Sequence, residues 1–256
     1  MSTTAQEVRH SRPYDVAITF GLITYGVIHL LIAWIALQLA WGKSSQEASQ
    51  QGALKELAGK PLGGVLLWIV AIGLFTLVVW CVLEIGWGHL DLEKKVSSVG
   101  RGIVYLVLGA SAVKVAVGSG GSSSGQQQSL SARLMAHGYG RVLIFAVGIA
   151  IIAIGVRQIH KAVTKKFTED LVGGVSSLTV SLGRVGYAAK GVAFLVVGAL
   201  FGWAALAYDP QKAGGLDTAL HTIKDQPFGS VLLSVLALGF AAFAAYTFAW
   251  SRNARR

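Results

Sequence analysis

Six apolar stretches constrain the fold of this chain more than any other feature of its sequence. Each stretch has about the 20 mostly apolar residues that a helix needs to cross a bilayer, and they cover residues 16–41, 63–87, 99–117, 139–157, 186–207 and 228–250. None alternates polar and apolar residues as the strands of a membrane barrel do. Because lipid offers no partner to backbone N–H and C=O groups, each stretch must satisfy them internally, as a helix does. The sequence predicts an all-α membrane protein with six transmembrane helices.

The composition excludes an ordinary soluble domain. Charged residues make up 13% of the chain and hydrophobic residues 54%, whereas soluble domains carry about 25% charged residues. The net charge of +10 would fit nucleic acid in a soluble protein, but here the basic residues cluster at the ends of apolar stretches, where they meet anionic lipid. We therefore expect the lipid bilayer as partner, together with other membrane proteins, and no nucleic acid.

The distribution of Lys and Arg predicts the orientation. Fourteen of these residues lie at the ends of the stretches on the side of the two termini, and seven lie on the opposite side. Cytoplasmic segments carry the excess of positive charge. The prediction is a multi-pass protein of the cell (plasma) membrane with cytoplasmic N- and C-termini.

The sequence contains an internal repeat. AKGVAFLVVGAL (189–200) aligns without gaps with GRGIVYLVLGAS (100–111) and TYGVIHLLIAWI (24–35), and the second stretch of each copy opens at Gly63, Gly140 or Gly229. We infer one membrane domain, 1–256, with three tandem two-helix repeats at 16–90, 96–168 and 176–252. Since each copy crosses the membrane twice, all copies have the same orientation, which predicts a pseudo-threefold bundle.

The same segments resemble a known family. LGRVGYAAKGVAFLVVGAL (182–200), its weaker echoes at 20–37 and 96–113, and the junctions ALKELAGKPLGGVLL and ALHTIKDQPFGSVLL are similar to the three-repeat bacterial membrane proteins grouped as domain of unknown function 1206. The first copy departs most, with Thr24 and Tyr25 where the other copies have a small and a basic residue. The resemblance implies a six-span protein and supplies no activity or catalytic residue.

Glycines recur at helical spacing within the first stretch of each copy. Small residues let helices approach closely in lipid, where association depends on packing. We expect a packing role, with the lining of a narrow pore as the alternative, for Gly26, Gly102, Gly109, Gly191, Gly198 and Gly202.

Ionisable and polar residues inside the stretches are few, and such residues are functional candidates in membranes. His29 is expected to bond to a neighbouring helix, with proton relay, ligand binding or haem or metal ligation as alternatives. Glu84 is expected to pair with a basic residue such as Lys94, Arg101 or Arg157, with a site role as the alternative. Lys114 is expected to extend to the outer surface, with an outer polar vestibule shared with Gln38 and Trp203 as the alternative.

Several expectations concern the segments outside the spans. Lys190 is expected to mark the cytoplasmic edge of the fifth span. The stretch SGGSSSGQQQS (119–129) reads as a solvated linker, and the short amphipathic pieces ALKELAG and LHTIK are expected in the outer headgroup plane. The connector 158–185 is expected to be a cytoplasmic amphipathic or interfacial segment.

The functional prediction is a non-enzymatic protein. No phosphate-binding loop, nucleophile elbow, metalloprotease motif or Cys/His metal set is present in the sequence, so no metal or other cofactor is expected. Abundant packing signals favour a structural or accessory interaction protein. The alternative is a transport or permeation protein that moves a small solute or protons past polar residues along the repeat axis.

Overall fold

The computed structural model describes residues 12–42, 46–87, 92–119, 121–137, 139–171 and 176–253. These residues form nine α-helices in three long–short–long sets. The first copy comprises α1 (Arg12–Ala40), α2 (Gln50–Ala58) and α3 (Gly63–Trp87); the second, α4 (Leu92–Ala116), α5 (Ser123–Met135) and α6 (Gly140–Thr164); the third, α7 (Ser177–Ala207), α8 (Leu216–Lys224) and α9 (Gly229–Asn253). The six long helices are long and apolar enough to cross a membrane. The all-α, six-span fold is therefore confirmed.

The start of α1 and the end of α9 meet on one side of the bundle. Thr19 Oγ1 near the start of α1 donates a hydrogen bond to Ser251 O near the end of α9, at 3.1 Å. We call this the terminal side, and the opposite side, which carries α2, α5 and α8, the roof side. On the terminal side, three of the long helices extend beyond the predicted spans. Helix α4 begins at Leu92, α6 continues to Thr164 and α7 begins at Ser177.

The most extensive helix contacts join one copy to the next. They pair α3 with α4, α6 with α7 and, closing the ring, α9 with α1. Within a copy, α1 packs on α3 and α7 on α9 less extensively. Each major seam thus joins the last long helix of one copy to the first long helix of the following copy, which gives the predicted pseudo-threefold arrangement.

The repeated glycines lie in these seams. An added Cβ would fall 2.6 Å from Phe248 Cε1 at Gly26, 3.3 Å from Cys81 Cβ at Gly102 and 2.5 Å from Ile159 Cγ1 at Gly191. Phe248 and Ile159 each lie nineteen residues after the glycine that opens their helix, Gly229 or Gly140. Equivalent glycines therefore meet equivalent levels of the neighbouring helix, as the repeat requires.

Gly109 and Gly198, each seven residues after Gly102 or Gly191, pack in the same seams at a level nearer the roof. A Cβ at Gly109 would lie 3.2 Å from the ring of Phe75, and one at Gly198 would lie 2.6 Å from Ile152 Cγ1 and 2.8 Å from the carbonyl oxygen of Gly148. At Gly109 and Gly198 the missing side chain leaves room for the neighbouring helix, as a packing role requires. The sequence reasoning did not identify Gly148 and Gly155, the glycines of α6 that bring its backbone against α7.

Gly202 differs from the expectation. An added Cβ there would meet nothing within 4 Å, although its backbone N lies 2.9 Å from the position of a Cβ on Gly148. The backbone of Gly202 borders the seam, but its missing side chain points into open space. The packing role expected for this glycine is therefore wrong.

Two connecting segments are built differently from the predictions. Most of SGGSSSGQQQS is helical, since α5 begins at Ser123 and the Ser122 side chain caps it by accepting from Gly125 N. In 158–185, α6 and α7 extend from both sides and a 3-10 turn covers Lys166–Asp170; residues 172–175 lie outside the described part. The described residues of this connector contain no separate interfacial helix.

The seam glycines give a direct stability test. Gly198→Ala should destabilise the protein by roughly 1–3 kcal/mol, because the added methyl overpacks the contact with Gly148 and Ile152. Gly202→Ala is the matched control on the same helix and should hold or raise stability, since alanine is the better helix former. Thermal unfolding in detergent measures both. Equal losses in the two variants would contradict the seam assignment.

Candidate functional site

A cavity of about 250 Å³ lies inside the bundle between the seams. Helices α1, α6, α7 and α9 provide its walls, and residues of the roof-side segments close its upper end. Along α7 the lining runs from Lys190 to Phe201, which corresponds to about 16 Å at 1.5 Å per residue. The cavity is therefore long and narrow, and follows the axis of the bundle.

The lining is apolar along its length and polar at both ends. Lys190 and His29 lie at the terminal-side end, and Gln50 and Gln127 lie at the roof-side end. The residues between them are mainly apolar and include Ile32, Ile151, Ala193, Phe194, Val197 and Phe240. No Asp or Glu is found among these lining residues, so Lys190 sets the sign of the charge in the cavity.

Lys190 lines the central cavity, and its expected place at the cytoplasmic edge of the span stays a prediction. It lies thirteen residues after the start of α7 at Ser177, about 20 Å along the helix. Its Nζ donates a hydrogen bond to Tyr25 Oη at 3.1 Å and lies 3.9 Å from the centre of the Phe243 ring. The ammonium group is held by a hydroxyl and an aromatic face.

His29 lies beside this lysine and is 3% exposed. Its Nδ1 and the carbonyl oxygen of Tyr25, in its own helix, are 2.9 Å apart, so the bond predicted to a neighbouring helix is instead local. Because a carbonyl only accepts, Nδ1 carries the proton, and in the neutral ring Nε2 remains an acceptor. The ring packs against Phe243 of α9, with centroids 4.8 Å apart. His29 therefore presents a second polar group to the cavity next to the Lys190 ammonium.

An aromatic layer separates the cavity from the terminal side. The ring of Tyr25 meets that of Tyr105 at 5.2 Å, and Tyr187 meets both Phe243, at 5.3 Å, and Phe167, at 5.2 Å. Phe167 comes from the 3-10 turn of the connector, is fully buried, and its carbonyl accepts from Tyr246 Oη at 3.0 Å. The connector after α6 thus folds back into the bundle and closes it below the cavity.

The short helices close the roof side by bonding across the copies. The Ala48 N–H before α2 donates to Asp217 Oδ1 of α8 at 2.7 Å, and Ser122 before α5 donates to Glu47. The apolar side chains of these helices, such as Leu54 and Leu220, are fully buried against the protein. The expectation that these pieces insert in the headgroup plane is therefore replaced by a protein roof.

Glu84 forms the predicted ion pair, away from the cavity lining. Its Oε2 accepts from Arg101 Nη2 at 2.9 Å and from Ser98 Oγ at 2.7 Å. The guanidinium of Arg101 also lies 5.5 Å from the centre of the Trp80 ring. This cluster joins α3 to α4 and has the geometry of a structural contact.

The residues of the predicted vestibule are not brought together. Lys114 and Trp203 are exposed and Gln38 is half-buried; in the described part of the chain no bond or ring contact joins them. Lys212 lies over the Trp203 ring at 4.5 Å. The described residues also contain no group of three His, Cys, Asp or Glu placed to hold a metal ion.

The sequence analysis missed Tyr25 and Lys190 as site residues. The repeat contained a signal for them. The residue before the aligned glycines Gly26, Gly102 and Gly191 is Tyr25, Arg101 or Lys190, a hydrogen-bonding residue in every copy. These positions lie one helical turn before His29 and the residues that align with it in the other copies. A polar layer at one depth in all three copies was therefore visible in the alignment.

The roof contact at Asp217 predicts a pH dependence. Burial raises the pKa of the Asp217 carboxyl above its ordinary 3.8, while the Ala48 N–H and His221 oppose the rise and Glu47 adds to it. A raised pKa in the folded state means that the stability this group contributes is full below pH 3.8 and is lost as pH rises through the folded pKa.

We therefore expect wild type to gain in melting temperature relative to Asp217→Asn when the pH falls from 7 to 4. The asparagine keeps the acceptor for Ala48 N–H but does not titrate, so it isolates the carboxyl. Melting curves of both proteins at the two pH values measure the difference. A constant gap between the two melting temperatures would contradict the assignment.

Comparisons with known proteins agree with the repeat. The family described as Domain of Unknown Function (DUF1206) has a model that matches the chain three times, at 20–85, 96–165 and 185–254. A Bacillus subtilis (strain 168) protein described as uncharacterized protein YxxB is 28% identical over 238 residues, which cover 88% of this chain and 86% of the relative. No solved structure matches. With three matches, one to each copy, the chain belongs to the DUF1206 family of membrane proteins.

Proposed function

We propose that the protein is a non-enzymatic membrane protein that binds, in its central cavity, a ligand with an anionic or hydrogen-bond-accepting group and moves it along the repeat axis. The observation that carries this proposal is the Lys190 ammonium in a cavity whose described lining residues include no carboxylate. A few polar groups in a mostly apolar cavity are typical of ligand sites. This develops the transport alternative of the sequence analysis.

The cost of placing a charge within a membrane bundle supports the proposal. Intramembrane charges pair with one another or mark the path of a substrate or ion. Arg101 meets the carboxylate of Glu84, whereas Lys190 meets the neutral Tyr25 hydroxyl and the Phe243 ring. An anionic ligand would supply the negative charge that the cavity lining lacks.

The geometry also defines what has to move during transport. The aromatic layer of Tyr25, Tyr187, Phe243 and Phe167 closes the cavity on the terminal side, and the bonds between the short helices close the roof. Passage requires each barrier to open in turn. We expect Phe167 to move when the aromatic layer opens, because it belongs to a short connector turn and not to a long helix.

Binding and flux should depend on the cavity residues. With a panel of sodium acetate, octanoate, laurate and phosphate, we expect at least one anion to bind the protein in nanodiscs and to cross proteoliposomes that contain it. Lys190→Met should weaken binding by roughly 10- to 100-fold, the effect of one lost charged hydrogen bond.

Matched controls separate this effect from damage to the fold. Glu84→Gln also changes one charge near the terminal side, but outside the cavity lining, and should leave binding unchanged. Binding of no panel member, or equal binding by wild type and Lys190→Met, would overturn the proposal.

A structural or accessory role is the second candidate. An apolar surface furrow of about 390 Å³ runs between α1 and α9 and includes Leu30, Trp34, Leu37 and Leu238. Such a furrow suits a lipid chain or the helix of another membrane protein. A stoichiometric partner that co-purifies in mild detergent, together with no flux for any anion, would favour this role over transport.

We further propose that the protein resides in the cell membrane with both termini cytoplasmic, as the excess of Lys and Arg on the terminal side indicates. A reporter fused after Arg256 should be active only as a cytoplasmic reporter, and one inserted at Ser123, at the start of α5, only as an external reporter. Finding Arg256 outside or Ser123 inside would reverse the orientation.

A further inference from the structure

The ring of long helices is open at one place. All three seams between copies are closed, and within the first and third copies the two long helices also pack on each other. In the second copy α4 and α6 make at most marginal contact along the described residues. The bundle therefore has a lateral gap, which faces the bilayer.

The flanks of the gap are apolar. The exposed residues of the two helices that border it include Val104 and Val107 on α4 and Phe145 and Ile149 on α6. A polar solute would lose its hydration there without gaining hydrogen bonds. A hydrocarbon chain would pass without this cost.

From its terminal-side end to its middle, the lining of the cavity changes from polar to apolar, as an amphiphile does along its length. Ile151 brings the cavity lining onto α6, one helix of the gap, while α4 contributes no lining residue among those described. From there an apolar wall of Ala193, Phe194 and Val197 leads to the Lys190 ammonium and His29. The volume of about 250 Å³ is below the roughly 300–1,000 Å³ of ordinary ligand pockets, which favours a slender molecule.

We propose that the ligand is a single-chain amphiphile with an anionic head, such as a fatty acid, that enters from the bilayer between α4 and α6. The head binds at the Lys190 ammonium, and the chain lies along the apolar wall. This inference rests on the function proposed above and specifies its substrate class. The roof, held by the Ala48–Asp217 and Glu47–Ser122 bonds, makes direct entry from water the harder route.

A photo-cross-linkable dodecanoate that carries a diazirine on its chain tests the proposal with the full chain in nanodiscs. Mass spectrometry should place the label on lining residues of the 190–201 segment of α7. Laurate should compete better than octanoate, by about fourfold for each added methylene that is buried. Dodecanol, which has the chain without the charge, should compete at least tenfold less well than laurate.

Two tryptophan variants on α7 provide a matched pair. Ala193 is 3% exposed and lines the cavity, while the neighbouring Val192 is 44% exposed. Ala193→Trp should fill the cavity and abolish labelling of the 190–201 segment, and Val192→Trp should keep it. Because Ala193→Trp also risks misfolding, Lys190→Met serves as a second variant and should reduce labelling at least tenfold; unfolding curves check all three.

The outcomes separate the two proposals. If acetate or phosphate binds in a Lys190-dependent way and competes as well as laurate, the cavity binds soluble anions and the amphiphile inference is overturned alone. If the label spreads over lipid-facing residues and no anion competes, the inference and the proposed function both fail. Labelling at 190–201 that depends on chain length and on Lys190 supports both.

Discussion

Close packing at glycines between the last long helix of one copy and the first long helix of the next is the interaction on which this bundle depends. Lipid provides no hydrophobic drive to bring helices together, so close packing has to supply the attraction. At the α6–α7 seam a Cβ on either Gly148 or Gly198 would fall within 3 Å of the other residue's carbonyl oxygen. The same column serves the α9–α1 seam at Gly26 and the α3–α4 seam at Gly109. Glycines at equivalent positions therefore allow close packing at all three seams between copies.

The copies are equivalent in their seams but not in their interior. The position before the first column glycine is Arg101 in the second copy and Lys190 in the third. Arg101 bonds to Glu84 at the seam with α3, whereas Lys190 lines the central cavity and bonds to Tyr25. The second copy is also the one whose long helices separate. The cavity and the gap therefore arise where the third and second copies depart from the shared plan, on a frame that the glycine seams keep intact.

Much of the fold was predictable because it depends on properties of each segment alone. Apolar length identified the six helices, the repeat located the copies, and the small-residue column identified Gly191 and Gly198 as packing positions. What failed depends on neighbours. The open space beside Gly202 depends on how α6 packs against α7, and the contacts of Lys190 depend on the position of Tyr25. The apolar stretch begins at residue 186, whereas α7 begins at Ser177, so the side chains that Lys190 meets could not be predicted from the stretch alone.

The contrast between Arg101 and Lys190 explains why the candidate site is one cavity and not three. A buried charge is tolerated when a partner of opposite sign is close. Arg101 has that partner in Glu84, whereas the contacts of Lys190 within the described residues are a hydroxyl and aromatic faces. Such contacts compensate a charge less completely than a carboxylate does, since cation–π attraction amounts to about 2 kcal/mol even when desolvated. A sequence that merely had to stabilise α7 would gain from an uncharged residue at this position. The lysine, with an apolar wall leading away from it, therefore fits a binding group whose counter-charge arrives with the ligand.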